Sequence, residues 1–236
     1  MVENVAGKWL TRNHRKQIEL VIAHSHLHSD HVAGDEQLKN LQSPSITIDF
    51  VPATVEASKK LYRITNWPDG IGSVDLGGRV LDVIAIPGHS PVSIALYDRR
   101  TAILFSGDSL YPGRLYVHDW ADFVKITQRL VDFTKGKLVA HILGSHVEQI
   151  TTPYLDYPIG TIYQPHEHGL AISRGDLLEL NEALASLHRV STRLALRDFS
   201  IWSVPADSRL HGKAKEKFES HQKKQREHMW DQSAAQ

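Results

Sequence analysis

Apolar and polar residues alternate in short segments along the chain, and the spacing of the apolar positions differs from one segment to the next. Residues 20–23 form an apolar run within a segment of strand length, 18–23, and residues 46–51 place apolar side chains at every second position. Both segments therefore predict strands. The segments around them predict helices, which span residues 5–15, 32–41 and 52–64.

The pattern changes between residues 73 and 110, where short apolar runs are separated by turn sequences such as Gly77-Gly78. This spacing predicts strands joined by tight turns, in an antiparallel meander. Residues 151–169 are rich in Pro, Tyr and Gly and predict an ordered loop. The remaining predicted elements are a helix over residues 119–135, a strand over 138–143, a helix over 174–188 and a closing strand over 193–204.

These elements predict an α/β (α+β) protein with one folded domain over residues 1–204. The chain of 236 residues is long enough to bury a substantial apolar core in such a domain. Residues 205–236 are highly charged and contain few apolar positions. We therefore expect them to form a solvated C-terminal tail outside the domain.

Composition narrows the classes of partner. The 27 basic and 27 acidic residues leave no net field, so neither nucleic acid nor an anionic membrane surface is expected as a partner. No apolar stretch approaches the ~20 residues of a membrane helix. The first sixteen residues lack a signal-peptide core, so a cytoplasmic location is expected. Cysteine is absent, which rules out thiolate metal ligands.

The chain contains 15 histidines, and four of them fall within residues 24–31, directly after the first predicted strand. Imidazole nitrogens and carboxylate oxygens together are preferred ligands of zinc-type ions. In an extended segment, residues two apart face the same side, so His26 and His28 can bind one ion. The chain then turns, and Asp30 and His31 can reach toward a second ion.

Three later motifs each place one ligand-capable side chain after an apolar strand and a turn of small residues. They end in His89, Asp108 and His146. Strand ends are where a rigid sheet can direct several side chains toward one ligand. We therefore expect these three residues to complete the site that begins at residue 26.

The four motifs, in this order and each after a strand, resemble the metallo-β-lactamase superfamily of hydrolases, whose signature is H-x-H-x-D-H. The resemblance implies a four-layer αβ/βα sandwich with two zinc ions at one edge of the sheets, although iron or manganese would also suit the ligands. It also implies a division of the ligands. The first ion would be held by His26, His28 and His89, the second by Asp30, His31 and His146, and Asp108 would bridge both.

The activity implied by this resemblance is hydrolysis of a small-molecule ester, thioester or lactone-like substrate. A hydroxide formed from water between two cations would attack the carbonyl carbon. Asp30 would orient this nucleophile as well as bind metal, and Tyr111 would donate a hydrogen bond to the substrate or the leaving group. Three other histidines are expected outside the ligand set, namely His24 as a packing residue and His166 and His168 at the rim of the pocket.

The chain departs from the family pattern at its start, because only 25 residues precede His26. The first sheet is therefore expected to be incomplete, and a second copy of the chain is a candidate to cover its open edge. Three alternative functions stay open: a β-lactamase with only His and Asp ligands, a phosphodiesterase or nuclease, and a metal-binding protein with little turnover.

Overall fold

The computed structural model describes residues 2–187 and 193–203. The helices are α1 (Val2–Arg12), α2 (Ser29–Val32), α3 (Asp35–Lys39), α4 (Val55–Tyr62), α5 (Trp120–Thr134) and α6 (Arg174–Ser186). The strands are β1 (Ile18–Ile22), β2 (Ile46–Phe50), β3 (Ile71–Asp75), β4 (Val80–Ala85), β5 (Ile94–Asp98), β6 (Ile103–Gly107), β7 (Arg114–Val117), β8 (His141–Gly144), β9 (Ala171–Ile172), β10 (Arg193–Ala195) and β11 (Ser200–Ser203). The expected mixture of helices and strands is confirmed.

The strands form three sheets in the described part of the chain. The largest has the order β3-β4-β5-β6-β8-β9, and within it only β6 and β8 run parallel. The predicted antiparallel meander is its first four strands. A second sheet has the order β10-β11-β7, and the first sheet of the chain consists of the parallel pair β1 and β2.

The main apolar core lies between one face of the six-stranded sheet and the helices α5 and α6. From α5, Phe123, Ile126 and Leu130 are at most 2% exposed, and they follow the three- and four-residue spacing of a helix face. The side chains Leu115 and Val117 of β7 belong to the same cluster. Strand β7 is therefore fixed by the core on one side.

Both core helices begin at a side chain that satisfies their free backbone amides. Asp119 accepts a hydrogen bond from the amide of Asp122 at the start of α5. Ser173 and Asp176 form a reciprocal capping box at the start of α6. Such caps each contribute about 1 kcal/mol to helix stability.

Several predicted elements differ from those observed. The single helix expected over residues 32–41 is wrong, because α2 already begins at Ser29 and Gly34, a poor helix former, separates it from α3. The closing strand is two strands, β10 and β11, and the strands β7 and β9 were not predicted. Residues 188–192 and the expected tail over residues 205–236 lie outside the described residues.

Among the described helices, none combines the length and the apolar character needed to cross a membrane.

The first sheet is only partly covered, since Val21 of β1 is half exposed.

The packing of α6 against α5 yields a first prediction. Leu177 is fully buried, whereas Leu138 is 75% exposed. We expect Leu177→Ala to lower the free energy of unfolding by about 2–5 kcal/mol, because it removes apolar contacts and leaves a cavity. Leu138→Ala, the matched control, should change it by less than about 0.5 kcal/mol. Urea denaturation measures both, and equal effects would contradict the assigned core.

Candidate metal centre

The histidine motif lies where the chain leaves β1 and enters α2. His28 precedes the helix in extended conformation, with φ −67° and ψ 150°. The backbone amide of His31 then donates to the carbonyl of His28, at 3.0 Å, and closes the turn. The backbone is extended up to residue 28 and helical from residue 29. Because of this change, the side chains before and after residue 29 point to neighbouring positions in the site.

The three later residues arrive from the six-stranded sheet. His89 comes four residues after the end of β4, Asp108 directly after β6 and His146 two residues after β8. Because β6 and β8 are parallel, Asp108 and His146 emerge at the same sheet edge. His146 Nε2 lies 3.2 Å from Asp108 Oδ2.

Gly88 allows His89 to reach the site. It has a φ of +130°, a region that favours glycine, and an added Cβ would lie 2.7 Å from the Cα of Phe123. Its carbonyl accepts hydrogen bonds from the amides of His118 and Asp119, at 3.0 and 2.8 Å. The approach of this glycine to α5 thus joins the core helix to the site.

The structure brings together all seven residues expected as ligands. Two groups of donor atoms form, and within each group the atoms lie within 4.8 Å of one another. The first group consists of His26, His28, His89 and Asp108, and the second of Asp30, His31, Asp108 and His146. Asp108 is common to both groups.

A backbone contact determines the tautomer of His89. Its Nδ1 lies 2.8 Å from the carbonyl oxygen of Tyr116, which can only accept a hydrogen bond. In the neutral ring, Nδ1 therefore carries the proton, and the lone pair of Nε2 points toward His28 and Asp108. This is the orientation that histidine ligands need in metal sites.

Two buried polar atoms of the cluster lack hydrogen-bond partners, Asp108 Oδ1 and His31 Nε2. His31 Nε2 is only 3.3 Å from Asp108 Oδ2, but this contact lacks hydrogen-bond geometry. Buried polar atoms without partners are rare, and an ion is one of the groups that can satisfy them. The donor set therefore fits divalent cations.

Burial and charge prepare these groups as ligands. Burial lowers the pKa of His26 to about 4 and also lowers that of His89. Burial alone would raise the pKa of Asp108, but the hydrogen bond from His146 and the charges of the histidines outweigh it and lower that pKa to about 2. At neutral pH, His26 and His89 are thus neutral and Asp108 is ionised, as ligation requires. Hydrogen bonding to Asp108 raises the pKa of His146.

Tyr111 lies in the wall of the cavity beside the donor groups, but its hydroxyl has a different partner from the one expected. Its ring packs near that of His146, with ring centroids 5.4 Å apart, but its side chain is 1% exposed and its hydroxyl donates to the carbonyl of Arg114. A hydroxyl that is already donated to buried backbone cannot also be offered to a substrate. Asp30, in contrast, is half exposed at the site, 3.3 Å from His146 Nε2.

The three histidines expected outside the ligand set lie outside both donor groups. His24 Nε2 lies 2.9 Å from a carboxylate oxygen of Asp35. His168 lies 3.5 Å from Asp198, and His166 is exposed.

Sequence patterns missed three residues that line the cavity of about 250 Å³ in front of the two donor groups, namely Tyr116, His118 and Glu148. The ring of His118 lies 5.5 Å from that of His89. Burial and the nearby Glu148 carboxylate raise the pKa of Tyr116 to about 12, so its hydroxyl stays protonated. The only local signal was a four-residue strand, β7, which is too short to stand out.

The family model described as the metallo-beta-lactamase superfamily matches residues 4–185, which is more than half of the chain. The chain belongs to this superfamily. The expected αβ/βα fold class is thereby confirmed.

Particular relatives can be named for parts of the chain. The acyl-coenzyme A thioesterase MBLAC2 of Gallus gallus is 42% identical over 79 residues, which cover 31% of this chain and 28% of that protein. The hydroxyacylglutathione hydrolase of Pseudomonas entomophila (strain L48) is 34% identical over 113 residues, which cover 46% of this chain and 40% of that protein. The chain thus matches less than half the length of either relative.

Among solved structures, a metallo-beta-lactamase from Pontibacter korlensis aligns with 16% sequence identity and a TM-score of 0.44. The alignment covers 76% of this chain and 75% of that one.

The contact between Gly88 and α5 yields a second prediction. We expect Gly88→Ala to lower the free energy of unfolding by about 1–3 kcal/mol from backbone strain, with an added clash against Phe123, and to weaken metal binding through His89. Gly77 also has a positive φ, of +83°, but its surroundings are open, so Gly77→Ala isolates the strain. Denaturation and metal titration compare the two variants, and equal losses in both measurements would contradict this role of Gly88.

The burial of His26 yields a third prediction, for the metal-free protein. The pKa of His26 is about 4 in the folded protein, and its ordinary value is 6.5. Between these pH values, His26 is protonated in the unfolded chain and neutral in the folded one. The contribution of neutral, buried His26 to the free energy of unfolding is complete above pH 6.5 and is lost as the pH falls toward 4. Chelator-treated protein should therefore lose more free energy of unfolding between about pH 7 and about pH 4.5 than His26→Asn does.

Urea denaturation across a pH series measures this difference. His146, whose pKa is raised, titrates in the opposite sense but is present in both proteins, so it does not affect the comparison. Parallel pH profiles for the two proteins would show that His26 is not buried in its neutral form.

Proposed function

We propose that the chain is a dinuclear, zinc-dependent hydrolase that cleaves an ester, thioester or lactone-like bond in a small molecule. The observation that carries this proposal is the pair of donor groups that share Asp108 and open onto one cavity. Two adjacent divalent cations are a common arrangement in hydrolytic enzymes. Membership of the metallo-β-lactamase superfamily supports the same reading.

The ligands divide between the two ions as the donor groups do. His26, His28 and His89 would hold the first ion with Asp108, and Asp30, His31 and His146 would hold the second with Asp108. Zinc suits a set made only of imidazole and carboxylate donors, and iron or manganese would also suit it.

When bound, the two ions supply Lewis acidity, which polarises a carbonyl group and acidifies water near neutral pH. The protein's own groups act around them. Asp30, half exposed at the site, accepts a hydrogen bond from the attacking water and orients it. Tyr116, whose hydroxyl stays protonated, donates a hydrogen bond to the substrate from the cavity wall. This assigns to Tyr116 the donor role expected for Tyr111.

Thioesters are the favoured substrates within this range. The named relatives are an acyl-coenzyme A thioesterase and a hydroxyacylglutathione hydrolase, which supports an acyl group on a thiol as the reacting part. A nuclease would offer a basic groove to the phosphate backbone. None of the described residues that line the cavity is a lysine or an arginine, and Glu148 adds a carboxylate to its wall.

A cytoplasmic location and a second copy of the chain against the open edge of β1 complete the proposal. Among the described strands β1 pairs only with β2, which supports the second of these, because an unpaired strand edge favours association.

Metal removal and reloading test the proposed function, which gives a fourth prediction. Purified protein reloaded with zinc should bind about two ions per chain and hydrolyse a short acyl thioester. His28→Ala should lower both metal content and turnover, the latter by about a hundredfold or more. His166→Ala, which removes an exposed histidine outside both donor groups, should change neither. Full turnover after complete chelation would contradict the proposal.

A further inference from the structure

A second cavity adjoins the metal centre and has no part in the steps described so far. It has a volume of about 160 Å³, and it shares the walls Tyr116 and Glu148 with the main cavity. We call it the side chamber. Its remaining walls are Arg114, residues 157–161 and Gln164. The two cavities are therefore neighbours, with Tyr116 and Glu148 between them.

The positive charge in the side chamber is neutralised from within the protein. Arg114 is buried, and its guanidinium lies 2.6 Å from a carboxylate oxygen of Asp156 and 3.1 Å from one of Glu148. It also donates to the carbonyl of Tyr157. A buried guanidinium that is paired in this way has little charge left to bind a phosphate or a carboxylate of a substrate.

Glu148 presents a negatively charged carboxylate to the chamber. Its side chain is 25% exposed and lines both cavities, whereas Asp156, the other carboxylate beside Arg114, is 1% exposed. The carboxylate that a ligand meets is therefore that of Glu148. A ligand carboxylate at this place would lie beside this paired carboxylate and would find no unpaired cation among the described residues that line the chamber, so its loss of hydration would not be compensated.

The polar groups of the loop over residues 157–164 are largely used within the loop. Thr161 Oγ1 donates to the carbonyl of Pro158, and Gln164 Nε2 donates to the carbonyl of Thr161. The loop exposes three large apolar side chains. They are Ile159 at 49%, Ile162 at 101% and Tyr163 at 76% exposure. Ile159 also lines the chamber. Ile162 and Tyr163 do not line the chamber, so its apolar wall consists of Pro158, Ile159 and the neighbouring tyrosine rings.

We propose that the side chamber binds the uncharged acyl chain of the substrate, and that Glu148 excludes acyl chains that end in a carboxylate. This assignment rests on the proposed hydrolase function. It identifies the loop over residues 157–164 as the element that selects the acyl group.

A series of thioesters of one thiol, N-acetylcysteamine, with acyl chains from acetyl to octanoyl tests the first part and provides a fifth prediction. In zinc-loaded protein, kcat/KM should rise about fourfold with each added methylene until the chamber is filled, since burial of one methylene contributes about 0.8 kcal/mol. Ile159→Asp should abolish this rise. Leu138→Asp, which places the same charge on an exposed leucine that does not line either cavity, should preserve it.

Binding gives a readout that is independent of turnover. Non-hydrolysable thioethers with the same chain lengths, measured by calorimetry, should show the same gain in affinity per methylene, and Ile159→Asp should remove it. A flat profile in wild-type protein would overturn the assignment. The assignment would also be overturned if affinity rose when the thiol part of the thioether was lengthened and did not rise when the acyl part was lengthened.

Butyryl and succinyl thioesters, which differ by a terminal carboxylate, test the role of Glu148. Wild-type protein should prefer the butyryl substrate, and Glu148→Gln should reduce this preference about tenfold. Glu148→Asp keeps the charge and should keep the preference. An unchanged ratio in Glu148→Gln would reject the exclusion of carboxylates.

The two proposals fail in different ways. If zinc-loaded protein hydrolyses none of the thioesters from acetyl to octanoyl, thioester hydrolysis is rejected, and thioether binding still reports on the side chamber. If the acetyl thioester is hydrolysed but chain length has no effect on kcat/KM or binding, only the assignment of the chamber is wrong.

Discussion

One carboxylate oxygen organises the centre of this protein. Asp108 Oδ2 lies between 3.2 and 3.6 Å from the Nε2 atoms of four histidines, which are His26, His31, His89 and His146. These rings come from the loop after β1, from α2, from the turn after β4 and from the end of β8. The Asp108 carboxylate can contact all four imidazoles only if each of these segments is correctly positioned. This requirement restricts the sequence at residue 88, where the close approach to α5 leaves room only for glycine.

Local pattern and the family resemblance together predicted which side chains meet at Asp108. Residues two apart on an extended segment share a face, which grouped His26 with His28, and strand ends followed by small residues marked His89, Asp108 and His146. The division of these residues between two ions came from the resemblance. These rules depend only on neighbours along the chain or on simple sheet geometry. The meander could be predicted for the same reason.

The parts that could not be predicted depend on distant contacts. Strand β7 has four residues, and it exists because β11 pairs with it, so that Arg114 lies opposite Ser200. Without β7 there was no reason to place Tyr116 or His118 at the cavity. The misplaced role of Tyr111 has the same origin, because only the folded backbone reveals that its hydroxyl is bonded to the carbonyl of Arg114.

The pairing of β7 with β11 also has a consequence for how the site forms during synthesis. All seven ligand candidates have been synthesised once His146 is added to the chain, yet Ser200, the first residue of β11, follows more than fifty residues later. Until then, β7 lacks its parallel neighbour, and the Tyr116 carbonyl that orients His89 is not held by the sheet. Non-local strand pairings form late because the loop between them must first close. The nascent chain therefore carries a complete set of ligands before it has the strand that fixes their geometry.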